Sequence, residues 1–565
     1  NGDDLFPGLV VALSGASGNV LFDRLGETGT GNFGSALAGA GDLNADGRPD
    51  VLIGARGFSN VVVNRGKIYA YDIRGGCEDR DGDGFGGPCD MDCDETNAAI
   101  NPDATDIPEN GIDEDCDGGD LPLLEPRLLF TVDGTGAGDG MGDLYPMRVA
   151  RLGDINGDGI DDLAIGVPSH EGPAGPFSGQ VLLRSGANGA AIATLNGVAG
   201  LGVAVAGGGD VNGDGVGDFI VIGSGLPQPD ALVRVYSGAT RALLGAIVPD
   251  GLNFGFKIGL KGAPDFNGDA VPDWLVGSLG DTSVSGIGSI AWVSGATTTA
   301  YRIILGPGEA SDFGSAIDVV PDVDGDAVPD VVGGAWAKDY VYGGVDPDSG
   351  WVSVHSGADG TRLMYVEGTS REGLGFDVAG IDDMDGDGAG DVLASTLFYP
   401  AEGRVLLYSG RSGGLIRTWD GTTVGDGFGY DIETIADVDG NGRPDVLVGA
   451  PELYPTGTGR VVILSPVNGQ KRAEISGESP GDYFGFDLAA LGDLTGDGYP
   501  EFAVVAPGYD GPAGEDSGRV YVYSLRPAGP GPCTDADGDG YAVRAGAAAA
   551  HFPWYDALCG YVDCD

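Results

Sequence analysis

Basic residues are scarce in this chain: 29 Lys and Arg stand against 86 Asp and Glu, for a formal net charge of −57. A field of that sign repels phosphate backbones, so nucleic acid is not an expected partner. There are three histidines, His170, His355 and His551, in unrelated contexts and without a nucleophile motif, so an enzyme is not expected. No apolar run approaches the length of a membrane-spanning helix, and no segment has the period of a convincing amphipathic helix. Cysteine is absent from the regular part of the chain: the seven Cys fall in two clusters, Cys77, Cys89, Cys93 and Cys116, then Cys533, Cys559 and Cys564. Clustered Cys in small, core-poor segments suggest disulfides and an oxidising compartment. Zinc is the rival reading, but CDMDC lacks a second pair spacing and hard oxygen donors surround it.

What the chain has in quantity is one acidic nonapeptide, D-x-[DNT]-x-[DN]-[GA]-x-x-[DE], beginning at Asp42, Asp154, Asp210, Asp265, Asp322, Asp383, Asp437 and Asp493. The starts lie 112, 56, 55, 57, 61, 54 and 56 residues apart, so one unit is about 56 residues and the first interval holds a unit plus an insertion.

Side-chain oxygens at positions 1, 3, 5 and 9, a backbone carbonyl at 7 and a small residue at the turn form the oxygen-rich set of a calcium loop. The candidate ligands are Asp42, Asn44, Asp46, Arg48 and Asp50 in the first loop, and Asp154, Asn156, Asp158, Ile160 and Asp162 in the second. They continue as Asp210, Asn212, Asp214, Val216 and Asp218, then Asp265, Asn267, Asp269, Val271 and Asp273. Next come Asp322, Asp324, Asp326, Val328 and Asp330, and Asp383, Asp385, Asp387, Ala389 and Asp391. The last two sets are Asp437, Asp439, Asn441, Arg443 and Asp445, and Asp493, Thr495, Asp497, Tyr499 and Glu501. β-prone runs such as DVLIGA and DVLVGA follow the loops, so each reads as an EF-like loop set in a β-hairpin rather than between helices. Magnesium fits less well because it retains its waters. Asp, Asn and Gly also make good turns without metal, but eight such loops in phase argue against that simpler reading. Ala270 and Ala327 stand where Gly is expected, and Thr495 and Glu501 are unusual ligands; these three loops are expected to bind more weakly than those at Asp154 and Asp383.

Most of the excess charge lies in these loops and in two Cys-containing segments; residues 76 to 120 alone hold sixteen acids against one Arg. The acidity therefore belongs mainly to metal sites, with a salt-adapted surface the lesser explanation, and folding is expected to be coupled to cation binding.

Each unit reads as four short strands; in 428–477 they are FGYDIETIAD, DVLVGAP, GRVVILS and KRAEISG. Phe-Gly at Phe33, Phe254, Phe313, Phe428 and Phe484, the acidic loops and Gly-Ala-Pro at Gly449 closely resemble the FG-GAP repeat of integrin α-chain N-terminal β-propellers and their bacterial relatives. The resemblance implies an all-β fold, a β-propeller of four-stranded blades. Eight repeats favour eight blades, with the seven of integrins as the alternative. NVLFDRLG at 19–26 is expected to complete the eighth blade, which leaves GLVVALSG at 8–15 as a spare strand.

The expected organisation is a propeller start at 1–73, a Cys/Asp-rich insertion at 74–121, the propeller remainder at 122–525, a Pro/Gly linker at 526–532 and a partial second Cys/Asp-rich module at 533–565. The insertion falls between GKIYAYD and PRLLFTVDG, read as the third and fourth strands of the first blade. It resembles the Cys-Asp metal-binding repeat of bacterial surface proteins. That likeness implies further calcium ligands at Asp79, Asp81 and Asp83 and at Asp113, Asp115 and Asp117, with disulfides Cys77–Cys89 and Cys93–Cys116. The tail looks like the first half of the same module, with Asp535, Asp537 and Asp539 as ligands, Cys533–Cys559 paired and Cys564 left over, as in a fragment of a longer surface protein. The start at Asn1 rather than Met fits removal of a leader or an earlier beginning.

These readings converge on a secreted, cell-surface, calcium-binding structural or adhesion protein, or a filament or layer subunit assembled head-to-tail through terminal strands. The alternative is a glycan- or protein-binding module of a longer secreted protein, attached in some cases to an enzyme. The partners are then other surface proteins, glycans or copies of itself. Trp336, Tyr340, Tyr342, Phe398, Tyr399 and Tyr454, on loops opposite the calcium loops, either form a binding surface or cover blade ends.

Overall fold

The computed structural model describes residues 9–13, 20–25, 30–41, 50–58, 67–72, 94, 97 and 99–101, then 124–527, and finally 533–534 and 543–544. Within 124–527 it omits 141–146, 199, 224–232, 248–257, 279–287, 307–311, 337–348, 370, 397–401 and 453–456. Among the described residues there is no helix, as the alternation of apolar residues and the turn-rich composition require. The chain divides into two compact units, Asn1–Pro122 and Leu123–Asp565.

In the first unit, β1 (Leu9–Leu13) and β2 (Val20–Leu25) form a two-stranded antiparallel sheet. Strands β3 (Thr30–Gly41), β4 (Asp50–Phe58) and β5 (Lys67–Asp72) form a three-stranded one carrying the first repeat.

The second unit holds seven four-stranded antiparallel sheets. Their inner strands are Arg148–Arg151, Leu201–Gly209, Leu260–Ala263, Ala316–Val320, Val378–Ile381, Ile432–Ile435 and Asp487–Gly492. Each packs on the next, and the last packs on the first, so the seven sheets are blades 1 to 7 of a closed ring. Eight sheets carry the repeat, and the ring of this unit takes seven of them.

Two sequence expectations about closure are corrected here. Residues 19–26 do not complete the last blade, because β2 pairs with β1. The segment PRLLFTVDG is not the fourth strand of the first repeat's sheet: β6 (Leu124–Asp133) is the fourth strand of blade 7, in register with Arg519–Pro527 from Arg519↔Asp133 to Pro527↔Leu124. The two candidates have the same alternating pattern, but β6 offers a longer register and an ion pair. Arg519 Nε lies 2.5 Å from Asp133 Oδ1 and Nη2 lies 3.1 Å from Oδ2, a fork geometry well suited to a carboxylate.

Burial follows the radial position of each strand. Second strands such as Asp330–Ala335, Asp391–Thr396 and Asp445–Ala450 are buried at every residue, because neighbouring blades cover both faces. Each Val, Leu or Ile in such a strand contributes about 1.5–3 kcal/mol. Fourth strands such as Ala300–Leu305 alternate between exposed and half-buried residues and form the rim.

The glycines of the repeat lock one blade to the next. In the Phe-Gly pair before blade 7, Gly485 has φ +90°, and its carbonyl oxygen would lie 2.1 Å from a Cβ on Gly449 of blade 6. The same approach occurs between Gly166 and Gly202 and between Gly277 and Gly314. Backbones this close admit no side chain.

Candidate metal loops and the central channel

The seven nonapeptides of the ring sit between first and second strands and share one geometry. In the loop at Asp154, Oδ1 of that residue accepts N–H bonds from Gly157 (2.6 Å) and Asp158 (3.2 Å), while Oδ2 accepts from Gly159 (2.8 Å). At position 9, Asp162 Oδ2 accepts from Ile155 (2.9 Å) and Asn156 (3.1 Å). Its Oδ1 accepts from Gly186 (3.2 Å) at the turn between third and fourth strands. The position-1 pattern recurs at Asp210, Asp265, Asp322, Asp383, Asp437 and Asp493. Backbone N–H groups thus shape each loop and leave the position-5 side chain, an Asp in six loops and Asn441 in the other, exposed or half-buried at its tip.

In four loops the carboxylates converge: Asp322, Asp324 and Asp330; Asp383, Asp385 and Asp391; Asp437, Asp439 and Asp445; and Asp493, Asp497 and Glu501 each place one oxygen within 4.8 Å of the others. Two oxygens about 2.4 Å from one calcium ion, on opposite sides of it, are about 4.8 Å apart, so these donor sets fit the ion. In the loops at Asp154, Asp210 and Asp265 the third position is Asn. There the amide nitrogens of Asn156, Asn212 and Asn267 donate to Asp162, Asp218 and Asp273, and a half-turn of the amide presents its oxygen instead. Ala270 and Ala327 have φ values of 66° and 69°, so the turns in which Ala replaces Gly are in the left-handed region.

The two ends of a loop differ electrostatically. Burial opposes ionisation of Asp154 and Asp383, but N–H donors from Gly159 and Gly388, with their neighbours, outweigh it and hold both below the usual carboxylate range. At position 9 burial dominates: Asp162, Asp330 and Asp391 are pushed up to about 6 and Asp445 to about 8. A cation entering the loop therefore meets one carboxylate that ionises readily and one that burial makes harder to ionise, and its charge offsets that burial.

Several partners of these loops were not legible in the nonapeptide. Tyr301 Oη donates to Asp273 Oδ2 (2.8 Å), Arg526 Nη2 lies 2.7 Å from Asp497 Oδ2, and Arg472 Nε lies 3.4 Å from Asp439 Oδ2. All three come from third or fourth strands distant in sequence.

The axis of the ring is a polar channel of about 620 Å³ whose charged lining includes Arg148, Lys261, Asp377, Asp431, Glu433 and Asp487. Four carboxylates each tie one blade to the next by accepting a backbone N–H: Asp318 from Gly380 (3.1 Å), Asp377 from Ile432 (2.7 Å), Asp431 from Leu488 (2.8 Å) and Asp487 from Val149 (2.8 Å). Lys261 bridges Asp318 (2.9 Å) and Glu433 (3.3 Å). Burial opposes its charge, but the two carboxylates outweigh that effect and raise its pKa. The sequence signal for three of these residues is an Asp six positions before the loop's first Asp.

The remaining expected sites are only partly described. Residues 42–49, 79–83 and 113–117, and the side chains of Asp50 and all seven Cys, lie outside the described residues, as do Asp535, Asp537 and Asp539. So do Tyr340, Tyr342, Phe398, Tyr399 and Tyr454. Trp336 meets Phe376 edge-on at 5.9 Å, beside the Phe376–Tyr430–Phe486 cluster. Of the histidines, His170 pairs with Asp139 (3.0 Å), and His355 is buried between Ser353 and Phe313.

Comparison with known proteins bears on the repeats directly. The FG-GAP repeat family matches residues 33–71, 149–183, 428–464 and 484–523. The chain carries FG-GAP repeats. Parts of the chain are similar to integrin alpha-PS2 of Drosophila melanogaster, 38% identical over 123 residues covering 20% of this chain and 8% of that one. They are also similar to integrin alpha-V of Gallus gallus, 31% identical over 170 residues covering 28% and 16%. The chain therefore spans less than a fifth of the length of these relatives. Residues 92–120 match the Cu-binding MopE metal-binding motif, within the Cys/Asp-rich segment. A crystal structure of BBS1N in complex with ARL6DN overlaps 72% of this chain and 98% of its own at 12% identity and a TM-score of 0.46. No helix among the described residues is long and apolar enough to cross a membrane.

Proposed function

We propose that this protein is an extracellular calcium-binding β-propeller that acts as a structural or adhesive component of a cell surface. The observation that carries the reading is the convergence of three carboxylate oxygens within 4.8 Å in the loops at Asp322, Asp383 and Asp493, each on a short hairpin between the first and second strands of its blade. Calcium is favoured because the donors are all oxygen and the loops supply most of a coordination sphere themselves. The ion bridges a loop to the blade core through the position-9 carboxylate, so metal occupancy stiffens the connection between the first and second strands of every blade that takes it.

The likeness to integrin α-chains supports a role in protein contact outside the cell rather than catalysis. Self-association belongs to the same reading. Among the described residues the sheet β3–β4–β5 has one strand fewer than each of the seven sheets in the ring, and an added strand from another copy would complete it.

The test is calorimetric titration of the chelated full chain with Ca²⁺ and separately with Mg²⁺, followed by electron microscopy of the calcium-loaded protein. Calcium uptake at several sites with ordered polymers or clustered particles supports the reading. Absence of calcium uptake overturns it.

A further inference from the structure

The loop at Asp437 differs from the other ring loops in two ways that coincide. In blades 1 to 5 the position-9 carboxylate receives an N–H from a glycine at the turn after the third strand: Gly186, Gly238, Gly295, Gly357 and Gly410 lie 3.0–3.2 Å from their acids. In blade 6 that glycine is replaced by Pro466, which has no N–H, and Asp445 Oδ1 is buried without a hydrogen-bond partner.

The second difference is Arg472. Strand register places it in line with Ile192, Leu244, Tyr301, Leu363 and Ile416 of blades 1 to 5, so blade 6 alone among these has a cation at this place. The side chain is 3% exposed, and its Nε lies 3.4 Å from Asp439 Oδ2, which is 1% exposed. Nε and Nη2 are buried and make no hydrogen bond. A guanidinium with unsatisfied donors therefore sits against a loop whose Asp439 and Asp445 belong to one converging cluster, and one of those acids has lost its usual donor.

We propose that Arg472 is a built-in counter-cation for the Asp437–Asp445 loop, doing there what a divalent ion does in the other loops. The inference rests on the calcium reading of those other loops. A dication placed among Asp437, Asp439 and Asp445 is repelled at short range by a charge that has no route to solvent. Burial makes the arrangement durable: Arg526, which reaches Asp497 in blade 7, is 35% exposed and can turn away, whereas Arg472 is enclosed. Blade 6 then has a loop between its first and second strands that is complete in the absence of calcium.

Native mass spectrometry of the full chain at saturating Ca²⁺ tests the assignment. Arg472→Met, which keeps the bulk and removes the charge, is expected to bind one more calcium than the parent chain, while Arg472→Lys keeps the parent count. Crystals of the unmodified chain soaked in Mn²⁺ provide a measurement that depends on no variant. Anomalous peaks are expected at Asp322 and Asp383 and none among Asp437, Asp439 and Asp445. Equal, non-zero calcium counts in parent and Arg472→Met, or a manganese peak in the Asp437 loop, overturn this inference alone. A chain that takes up no calcium in any loop overturns the calcium reading and this inference with it.

Discussion

Asp487 and Arg148 are 339 residues apart in the chain and form the contact at which the ring closes: Arg148 Nη1 donates to Asp487 Oδ1 at 2.7 Å, while Val149 N–H donates to Oδ2 at 2.8 Å. Both side chains are largely buried. Asp487→Ala leaves a buried guanidinium and a backbone N–H without their acceptor, so it is expected to cost about 3–5 kcal/mol. Urea denaturation in calcium measures this, and a loss below 1 kcal/mol contradicts the role assigned to the pair.

Strand β6 completes blade 7, so the boundary of the ring lies before Leu124. A chain of residues 124–527 is expected to fold with a cooperative transition, and one of residues 134–527 is not. Circular dichroism melts of the two decide the matter. If instead 134–527 folds only when residues 19–26 are supplied, closure belongs to the N-terminal segment.

Calcium removal and pH act on the same carboxylates. Asp162, Asp330 and Asp391 are raised to about 6 in the folded state by burial, above their value in an unfolded chain. The folded state therefore holds extra protons between about pH 4 and 6, and the associated stability is full below that window and lost as pH rises through it. Asp445, at about 8, extends the loss upward. In excess chelator the melting temperature is expected to be lower at pH 7.5 than at pH 5, and calcium is expected to reverse the difference by replacing the protons. A pH-independent melt in chelator counts against this account.

The Gly449–Gly485 approach makes a sharper demand than glycine content suggests. Gly449→Ala puts a methyl 2.1 Å from the Gly485 carbonyl oxygen and is expected to cost about 3 kcal/mol. Gly153→Ala, whose nearest neighbour is Gly217 Cα at 3.7 Å, is the matched control and is expected to stay within about 0.5 kcal/mol. Similar losses in both variants contradict the interlock.

The sequence by itself determined the all-β class, the repeat of about 56 residues and the acidic loops. All three are local: strand alternation, Gly turns and oxygen donors at odd positions act within a few residues, so a linear reading detects them. It also marked Ala270 and Ala327 as standing where Gly is expected, and both have positive φ, because φ at a turn is a property of one residue. Only the tertiary structure decided which of two look-alike fourth strands closes the ring. Val20–Leu25 and Leu124–Asp133 have comparable patterns, and the choice rests on a register and an Arg519–Asp133 pair spanning 386 residues. The same holds for Arg472 and Pro466. Each is ordinary in its own strand or turn, and they acquire meaning only when folding sets Arg472 against Asp439 and leaves Asp445 Oδ1 buried without the N–H that a proline cannot supply, because charge and hydrogen-bond satisfaction in a buried site depend on distance in space rather than along the chain.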